Sequence, residues 1–427
     1  MHIDWKAVKD LENVLEPEML DRAATAADKI VAAKERGGKV AVVTGSGPNV
    51  HEGVTTLISE LMRAGIIDAV TTSSAVVSHE MGGTLDKVKR CDGASVGVSD
   101  YYLPRGGEFE LTEMDDATLS DIAKHMPIDL DLIERIKQAE GKTIIKAAGN
   151  LGYPMGLWME HVAFEICALA HAHGASFEEV AGLGADERTM IGVGAKLGLP
   201  VLVTIPQLIG GGIVGLSIGD SITLTERASR LARMLSASDV IIESGVALTQ
   251  EIHDGPFERY TGHGLWSAWH GHFSYSLEGK TLVRIDLDPT LDMVCRVERE
   301  GSQVQEAIAE GLPKTKLFKV PFRMEMSGFA RHEGSIAVIG DIGVVWPIIA
   351  RRVSERLGLD LDFMSYPQQT DLGKAMRESI VSDVRPLNRE KMLEGLKRHT
   401  GWNPCKWAAT SEQPPAPVAA PVAEIAS

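Results

Sequence analysis

Uninterrupted apolar runs alternate with amphipathic stretches along most of the chain. Val40-Ala-Val-Val-Thr44 has the character of a strand buried on both faces. It is followed by a sharp turn, Gly45-Ser46-Gly47-Pro48-Asn49, and by helical spacing from about Val50 to Ala64 that stops at Gly65. A second apolar run, Ile66 to Val70, leads into Thr71-Thr72-Ser73-Ser74 and then Ser78-His79-Glu80. This is a β-α-β unit with small polar residues at each strand end. Before it, residues 1–36 are helical in period and Gly37-Gly38 forms a C-cap. After it, the pattern predicts a short third strand at Gly93–Val98 and an excursion over residues 104–143 with short helices, open to a lid reading. Gly156–His173 is helical. A helix at Glu187–Leu197 begins on Asp186, a strand follows at Pro200–Ile205, and Asp220 caps a helix at Ile222–Leu235. Strands at Asp239–Ile242, Lys280–Asp286 and Ser335–Gly340 complete the series, with a helix onward to Leu357.

Strand and helix alternating at this spacing predict an α/β fold, a doubly wound and mostly parallel sheet with helices on both faces. The organisation expected is an N-terminal helical extension (1–39), one α/β domain (40–357) and a C-terminal extension (358–407). A Pro/Ala tail (408–427), without aromatics or a period, is expected to be disordered. Length adds that 427 residues can bury a large core. Charge adds more: the net value of -16 argues against a nucleic-acid surface, which needs clustered Lys and Arg. The polar start Met1-His-Ile-Asp-Trp-Lys6 and the four dispersed cysteines point to a cytoplasmic enzyme with reduced thiols. Leu197–Gly219 carries no charge, but its prolines and glycines argue for a helix end, a strand and a loop rather than a membrane span.

In open α/β sheets ligands bind at the carboxyl ends of the strands. Gly45, Ser46, Gly47 and Asn49 lie at one such end, although the spacing to Gly53 is not GxGxxG. Thr72, Ser73 and Ser74 lie at the next, with hydroxyls that suit ribose or phosphate or that cap a helix. Asp286, Asp288 and Asp341 also sit at strand ends, where acids bind ribose hydroxyls or cap the following helix. His79 beside Glu80 is a candidate acid–base pair. Glu251, His253 and Asp254 follow the Ser244-Gly245 strand end, where carboxylates suit a cationic amine. Trp266, Trp269 and His270 belong to a segment rich in histidine and tryptophan that offers an aromatic wall to a cation. The same segment allows a metal reading through His263, His270 and His272, and hence a hydrolase; no metal is the main expectation.

Several of these stretches resemble known families. Val43–His79 looks like the first NAD-binding unit of the deoxyhypusine synthases, including the Thr71-Thr72 shoulder. Ala148-Gly149-Asn150, Met190–Gly215, Ile241–Val246 and Ile339–Pro347 match further pieces in the same order. Gly47-Pro48-Asn49-Val50-His51-Glu52-Gly53, Ala75–Glu80 and Lys280–Pro289 are similar to the C-terminal NAD-binding half of the LOR/SDH proteins, which includes ornithine cyclodeaminases. The resemblance implies NAD held by Gly45–Asn49, Thr72–Ser74, Ser244-Gly245 and Asp341. It also implies hydride removal from the C–N carbon of a small basic amine or amino acid, in a dimer or tetramer. Deamination of the cyclodeaminase type is the expected reaction, with His79, Glu80, Glu251 and His253 as catalytic candidates. Aminobutyl transfer, as in deoxyhypusine or homospermidine synthesis, is the alternative. The synthases' nucleophilic lysine lies in a Trp-Gly-Lys context, and its counterpart here is Glu278-Gly279-Lys280. A non-catalytic NAD-binding module is a third reading.

Overall fold

The computed structural model describes residues 2–149, 152–204, 211–245, 279–290 and 334–398, with scattered positions between 292 and 312. A six-stranded parallel sheet forms the centre, in the order β6-β2-β1-β7-β8-β9. Its strands are β1 (Val40–Thr44), β2 (Ala69–Thr72), β6 (Val201–Val203), β7 (Val240–Ser244), β8 (Thr281–Asp286) and β9 (Ser335–Ile339). Every residue of β1, β2, β6 and β7 is buried, as a parallel sheet covered by helices on both faces requires. The fold is a Rossmann-like α/β arrangement.

Connections from β1 lead to β2 and, after an insertion, to β6 on one side. The chain then crosses back to lay β7, β8 and β9 on the other side of β1. The order therefore reverses between β1 and β7. Such a topological switch point opens a crevice at the carboxyl ends.

The helix expected at Val50–Ala64 is divided. Helix α3 (Ser46–His51) follows β1 directly, and α4 (Val54–Arg63) starts after Gly53, whose φ of 69° is left-handed. The break ends α3 beside the strand ends, and α4 then packs along the sheet against α10 (Met190–Leu197). Helix α10 starts at Thr189, which caps it through Gly192 N–H, rather than at Asp186. Thr223, not Asp220, caps α12 (Leu224–Ser236), and a separate helix, α11 (Gly212–Ser221), precedes it.

The insertion differs most from expectation. No parallel strand forms at Gly93–Val98, which is a turn closed by Val98 N–H on Gly93 C=O. The strand lies earlier, as β3 (Leu85–Asp92), and pairs antiparallel with β4 (Glu108–Thr112) and β5 (Gly141–Ala147). Helices α6 (Asp116–Ala123) and α7 (Leu130–Gln138) complete this unit around a small core of Cys91, Val96, Leu111, Ile133 and Ile136. The excursion is thus a sheet with its own core. Its inner end abuts α5 (Ser74–Met81), which follows β2, where His79 meets Ala148 C=O; Ala148 N–H bonds Thr84 C=O, and Gly149 N–H bonds the Asp86 carboxylate at 3.0 Å.

The N-terminal helix α2 (Pro17–Glu35) packs on β9 and on α13 (Ile342–Leu357). Two C-terminal helices, α14 (Asp371–Asp383) and α15 (Arg389–Arg398), return to the body. Helix α14 lies on β3 and β5, and α15 on α9 (Phe177–Gly184). Among the described residues no helix is long and apolar enough to cross a membrane. The Pro/Ala tail lies outside the described residues.

Candidate functional site at the switch point

Asn49 holds the crevice together. Its side-chain amide donates to Gly45 C=O at 2.6 Å on the β1 side and to Ser244 C=O at 3.3 Å on the β7 side. Its side-chain oxygen accepts from the Ser244 hydroxyl at 2.5 Å, and that hydroxyl accepts from the Trp346 indole at 2.9 Å. All three side chains are buried. Gly45, Asn49, Ser244 and Gly245 are therefore joined across the reversal of strand order. Gly245 has a φ of 83°, a conformation that favours glycine, and a Cβ there would lie 4.0 Å from the Asn49 amide. Gly47 sits inside α3, where a Cβ would lie 3.8 Å from the His51 ring.

Other candidates at the strand ends divide by what their side chains touch. Thr44 and Thr72, the last residues of adjacent strands β1 and β2, carry buried hydroxyls with no hydrogen-bond partner among the described residues. Thr55, Thr56, Ser78, Thr84, Thr112 and Ser365 carry such hydroxyls too, but those of Thr44 and Thr72 close strands of the large sheet. Ser73 instead caps α5, accepting from Val76 N–H at 3.3 Å, and Ser74 opens that helix. Asp341 caps α13 through Gly343 N–H at 2.8 Å, and Asp288 accepts from Thr290.

His79 and Glu80 are neighbours in sequence but part in space, because successive helical residues do not face each other. Glu80 is fully buried and both its oxygens are used: one accepts from Met190 N–H at 2.8 Å, the other from Ile191 N–H at 3.1 Å. It serves the N-terminus of α10. Burial pushes its carboxyl up to about 7, against the two N–H groups that favour the charged form. The paired acid–base expectation thus gives way to a helix cap at Glu80. His79, on the partly open side of α5, has its Nδ1 on the carbonyl of Ala148. A carbonyl only accepts, so Nδ1 carries the proton and Nε2 keeps its lone pair. Burial lowers the imidazole pKa, the Ala148 bond opposes this, and Lys146 lowers it further.

Around His79 converge residues that sequence reasoning left unassigned. His51 ends α3, two residues beyond Asn49. Its pKa is lowered to about 4 by burial and then by the charges of Arg377, His79 and Lys146. Arg377, on α14, donates to Ile145 C=O on β5 and lies 3.4 Å from His51 Nδ1. Asp86 on β3 faces Lys146 across the small sheet; burial raises its carboxyl to about 7. Glu52 accepts from Gln368 N–H at 2.7 Å and is raised chiefly by burial.

Lys280 precedes β8, at the end of the sheet opposite the crevice. Its ammonium is spent on Ser236 C=O at 2.5 Å and Ser238 C=O at 2.8 Å. The remaining candidates, Glu251, His253, Asp254, Trp266, Trp269 and His270, lie outside the described residues, as do His263 and His272. Among the described residues no group of three or more His, Cys, Asp or Glu side chains is placed to hold a metal. A cavity of ≈ 330 Å³, lined by Lys89, Leu111, Met114, Ile133 and Lys137 among others, opens in the small-sheet unit and touches none of the strand ends of the large sheet.

No family model matches this sequence, and no curated protein matches it. Among solved structures the chain is similar to a conserved LOR/SDH protein from Methanococcus maripaludis S2, at 14% identity over 81% of this chain and 71% of that one, with a TM-score of 0.38. It is also similar to AgrE, crystallised with ornithine and NAD+, at 12% identity over 83% of this chain and 34% of that one (TM-score 0.39). A third similarity is to ArgZ, an arginine dihydrolase of the cyanobacterial ornithine-ammonia cycle, at 13% identity over 80% and 33% (TM-score 0.37). The chain thus spans about a third of the length of AgrE and ArgZ.

Proposed function

We propose that this chain binds NAD in the switch-point crevice and removes hydride from the amine-bearing carbon of a small basic amino acid, in a deamination of the ornithine cyclodeaminase type. The observation that carries the reading is the Asn49 network, which fixes the β1 turn against Ser244-Gly245 where a dinucleotide fold binds its ligand. The orphan hydroxyls of Thr44 and Thr72 suit the same ligand. Gly45, Ser46, Gly47, Asn49, Thr72, Ser244 and Gly245 would hold it; Ser73, Ser74 and Asp341 would shape its surroundings as parts of helix starts. Bound NAD supplies the acceptor for hydride leaving the substrate carbon.

The chain's own part is proton handling and positioning. His79, held as the Nδ1–H tautomer and kept neutral by burial, offers Nε2 to take a proton from the substrate ammonium. Glu80 has no such role in this reading. Glu251, His253 and Asp254 are proposed, with Trp266, Trp269 and His270, to receive the substrate's cationic end, because carboxylates and aromatic faces suit a cation. Aminobutyl transfer through Lys280 is not proposed, because that lysine is a sheet length from the crevice, about 20 Å by strand rise over β8.

Titrating NAD+ into the purified protein while following thermal unfolding tests the cofactor, since a ligand of the native state raises its stability. An unmoved midpoint at saturating NAD+ sinks the reading. Incubation with L-ornithine and NAD+, with ammonia and the cyclic product measured, then tests the reaction.

A further inference from the structure

Four elements far apart in sequence bring their cationic and imidazole groups to one place. His51 comes from α3, His79 from α5, Lys146 from β5 and Arg377 from α14, with His51 and Arg377 separated by 326 positions in sequence. The carboxylates near them are already engaged. Glu110 takes Lys146 at 2.7 Å, Glu378 takes Lys87 at 2.5 Å, Glu52 takes Gln368 N–H, and Asp86 takes Gly149 N–H. Arg377 itself has no carboxylate within ion-pair distance among the described residues. Its Nη2 is used on Ile145 C=O and His51, while Nε is buried and has no partner among the described residues. The side chain is half-buried, Glu52 and Glu378 act on it only through space, and a buried N–H left without an acceptor is costly unless a ligand meets it.

We propose that Arg377 is the anchor for the α-carboxylate of the substrate, with His51 fixing the guanidinium from the α3 side. Arg is suited to this because its guanidinium is always charged and its Nε–H, which has no acceptor among the described residues, is left to meet a carboxylate oxygen. The proposal rests on the reading of the crevice as an amino-acid-processing site. It deepens that reading by assigning a C-terminal helix to substrate recognition: a diamine lacking the carboxylate is discriminated against. Anionic oxygens also occur on the cofactor, so the test separates the two sources.

The experiment compares L-ornithine with putrescine, which keeps both amines and lacks the carboxylate. Binding of each, and of NAD+ separately, is measured by calorimetry on the full chain as wild type, Arg377→Lys and Arg377→Gln. The expected result is L-ornithine bound at least about tenfold more tightly than putrescine by wild type. Its affinity falls about tenfold in Arg377→Lys and about 100-fold in Arg377→Gln, the range for hydrogen bonds to a charged group. Putrescine and NAD+ affinities stay unchanged. The lysine variant keeps the charge and covers the case in which the glutamine variant fails to fold. Equal losses for ornithine and putrescine overturn the proposal, as does a loss confined to NAD+, which would place the cofactor's phosphates on Arg377. Wild type binding neither amine, or failing to distinguish them, overturns it too. Absence of NAD+ binding to wild type defeats the proposed function alone, since the ornithine–putrescine comparison runs without cofactor.

Discussion

Replacing Asn49 separates a turn that is merely packed from one that is pinned for a ligand. Asn49→Ala removes two short hydrogen bonds, at 2.6 Å to Gly45 C=O and 2.5 Å from Ser244, and one long bond at 3.3 Å. At about 1 kcal/mol net for each, the loss is about 2–3 kcal/mol; the Trp346 indole still donates to the Ser244 hydroxyl, whose own O–H loses its acceptor. Asn49→Asp is closer in shape but harsher in chemistry. It keeps the acceptor for Ser244 and turns the donor into an oxygen facing the carbonyls of Gly45 and Ser244, with a buried charge besides. Urea unfolding should therefore rank wild type above Asn49→Ala, and Asn49→Ala above Asn49→Asp. Under native conditions, NAD+ titration of folded Asn49→Ala should show Kd raised at least about tenfold, because the β1 turn and Ser244-Gly245 are no longer held in register. Asn49→Asp proving as stable as Asn49→Ala would refute the hydrogen-bond network. Unchanged NAD+ affinity in Asn49→Ala would refute the crevice as the cofactor site, whatever happens to stability.

Three further outcomes follow from the same geometry. Glu80 has a folded-state pKa of about 7 against an ordinary 4.5, so its contribution is full below about pH 4.5 and is lost as pH rises through about 7. That gap corresponds to about 3 kcal/mol, so Glu80→Gln should flatten the pH dependence of urea unfolding across this window by a comparable amount; Asp86 keeps its own share of the slope. An unchanged slope would mean that the α10 cap is ionised throughout. Gly53→Ala forces alanine into a φ of 69° and sets its Cβ 2.6 Å from the Met376 sulfur, a loss of about 2–4 kcal/mol in unfolding free energy. Combined with Met376→Ala, the two losses should sum to less than their separate values in a double-mutant cycle, since the clash is then gone. Lys280→Gln should lower stability by about 1–2 kcal/mol through its two lost carbonyl contacts and leave turnover unchanged. Abolished turnover in a folded Lys280→Gln would revive the aminobutyl-transfer reading.

How much was legible in the sequence depended on burial. Strands β1, β7, β8 and β9 are covered on both faces, so their apolar runs stand out against any neighbour. Strand β3, Leu85-Asp-Lys-Val-Lys-Arg-Cys-Asp92, carries five charged residues because its antiparallel sheet is partly solvated, and its weak alternation reads as a loop. The Gly45–Asn49 turn and Ser244-Gly245 were visible as strand ends, but their junction through Asn49 was not, since it spans 195 residues. Capping roles for Ser73 and Asp341 were foreseeable as alternatives, because short polar side chains at strand ends serve helices as readily as ligands. Glu80 was misleading because sequence adjacency to His79 says nothing about which neighbouring helix begins within reach. Nothing in the residues around Arg377 marked it, because its meaning lies in partners brought by α3 and β5.

The motif His51-Glu52-Gly53 ties these pieces together in a way its position after a strand does not announce. Each of its residues meets a different part of the C-terminal extension: His51 meets Arg377, Glu52 accepts from Gln368 N–H, and Gly53 leaves room for Met376. Met376 is buried and precedes Arg377, so the space left by the missing Cβ also sets where the guanidinium falls. The same glycine ends α3 through its left-handed backbone, which keeps His51 at the crevice instead of carrying it down the sheet along α4. A motif that reads as part of a nucleotide turn is therefore also the seat of α14. The glycine matters for two reasons that act together, one on the imidazole and one on the arginine beside it. On this view the β1 turn and the C-terminal helix form one functional unit, and a substitution in either is felt at the same place.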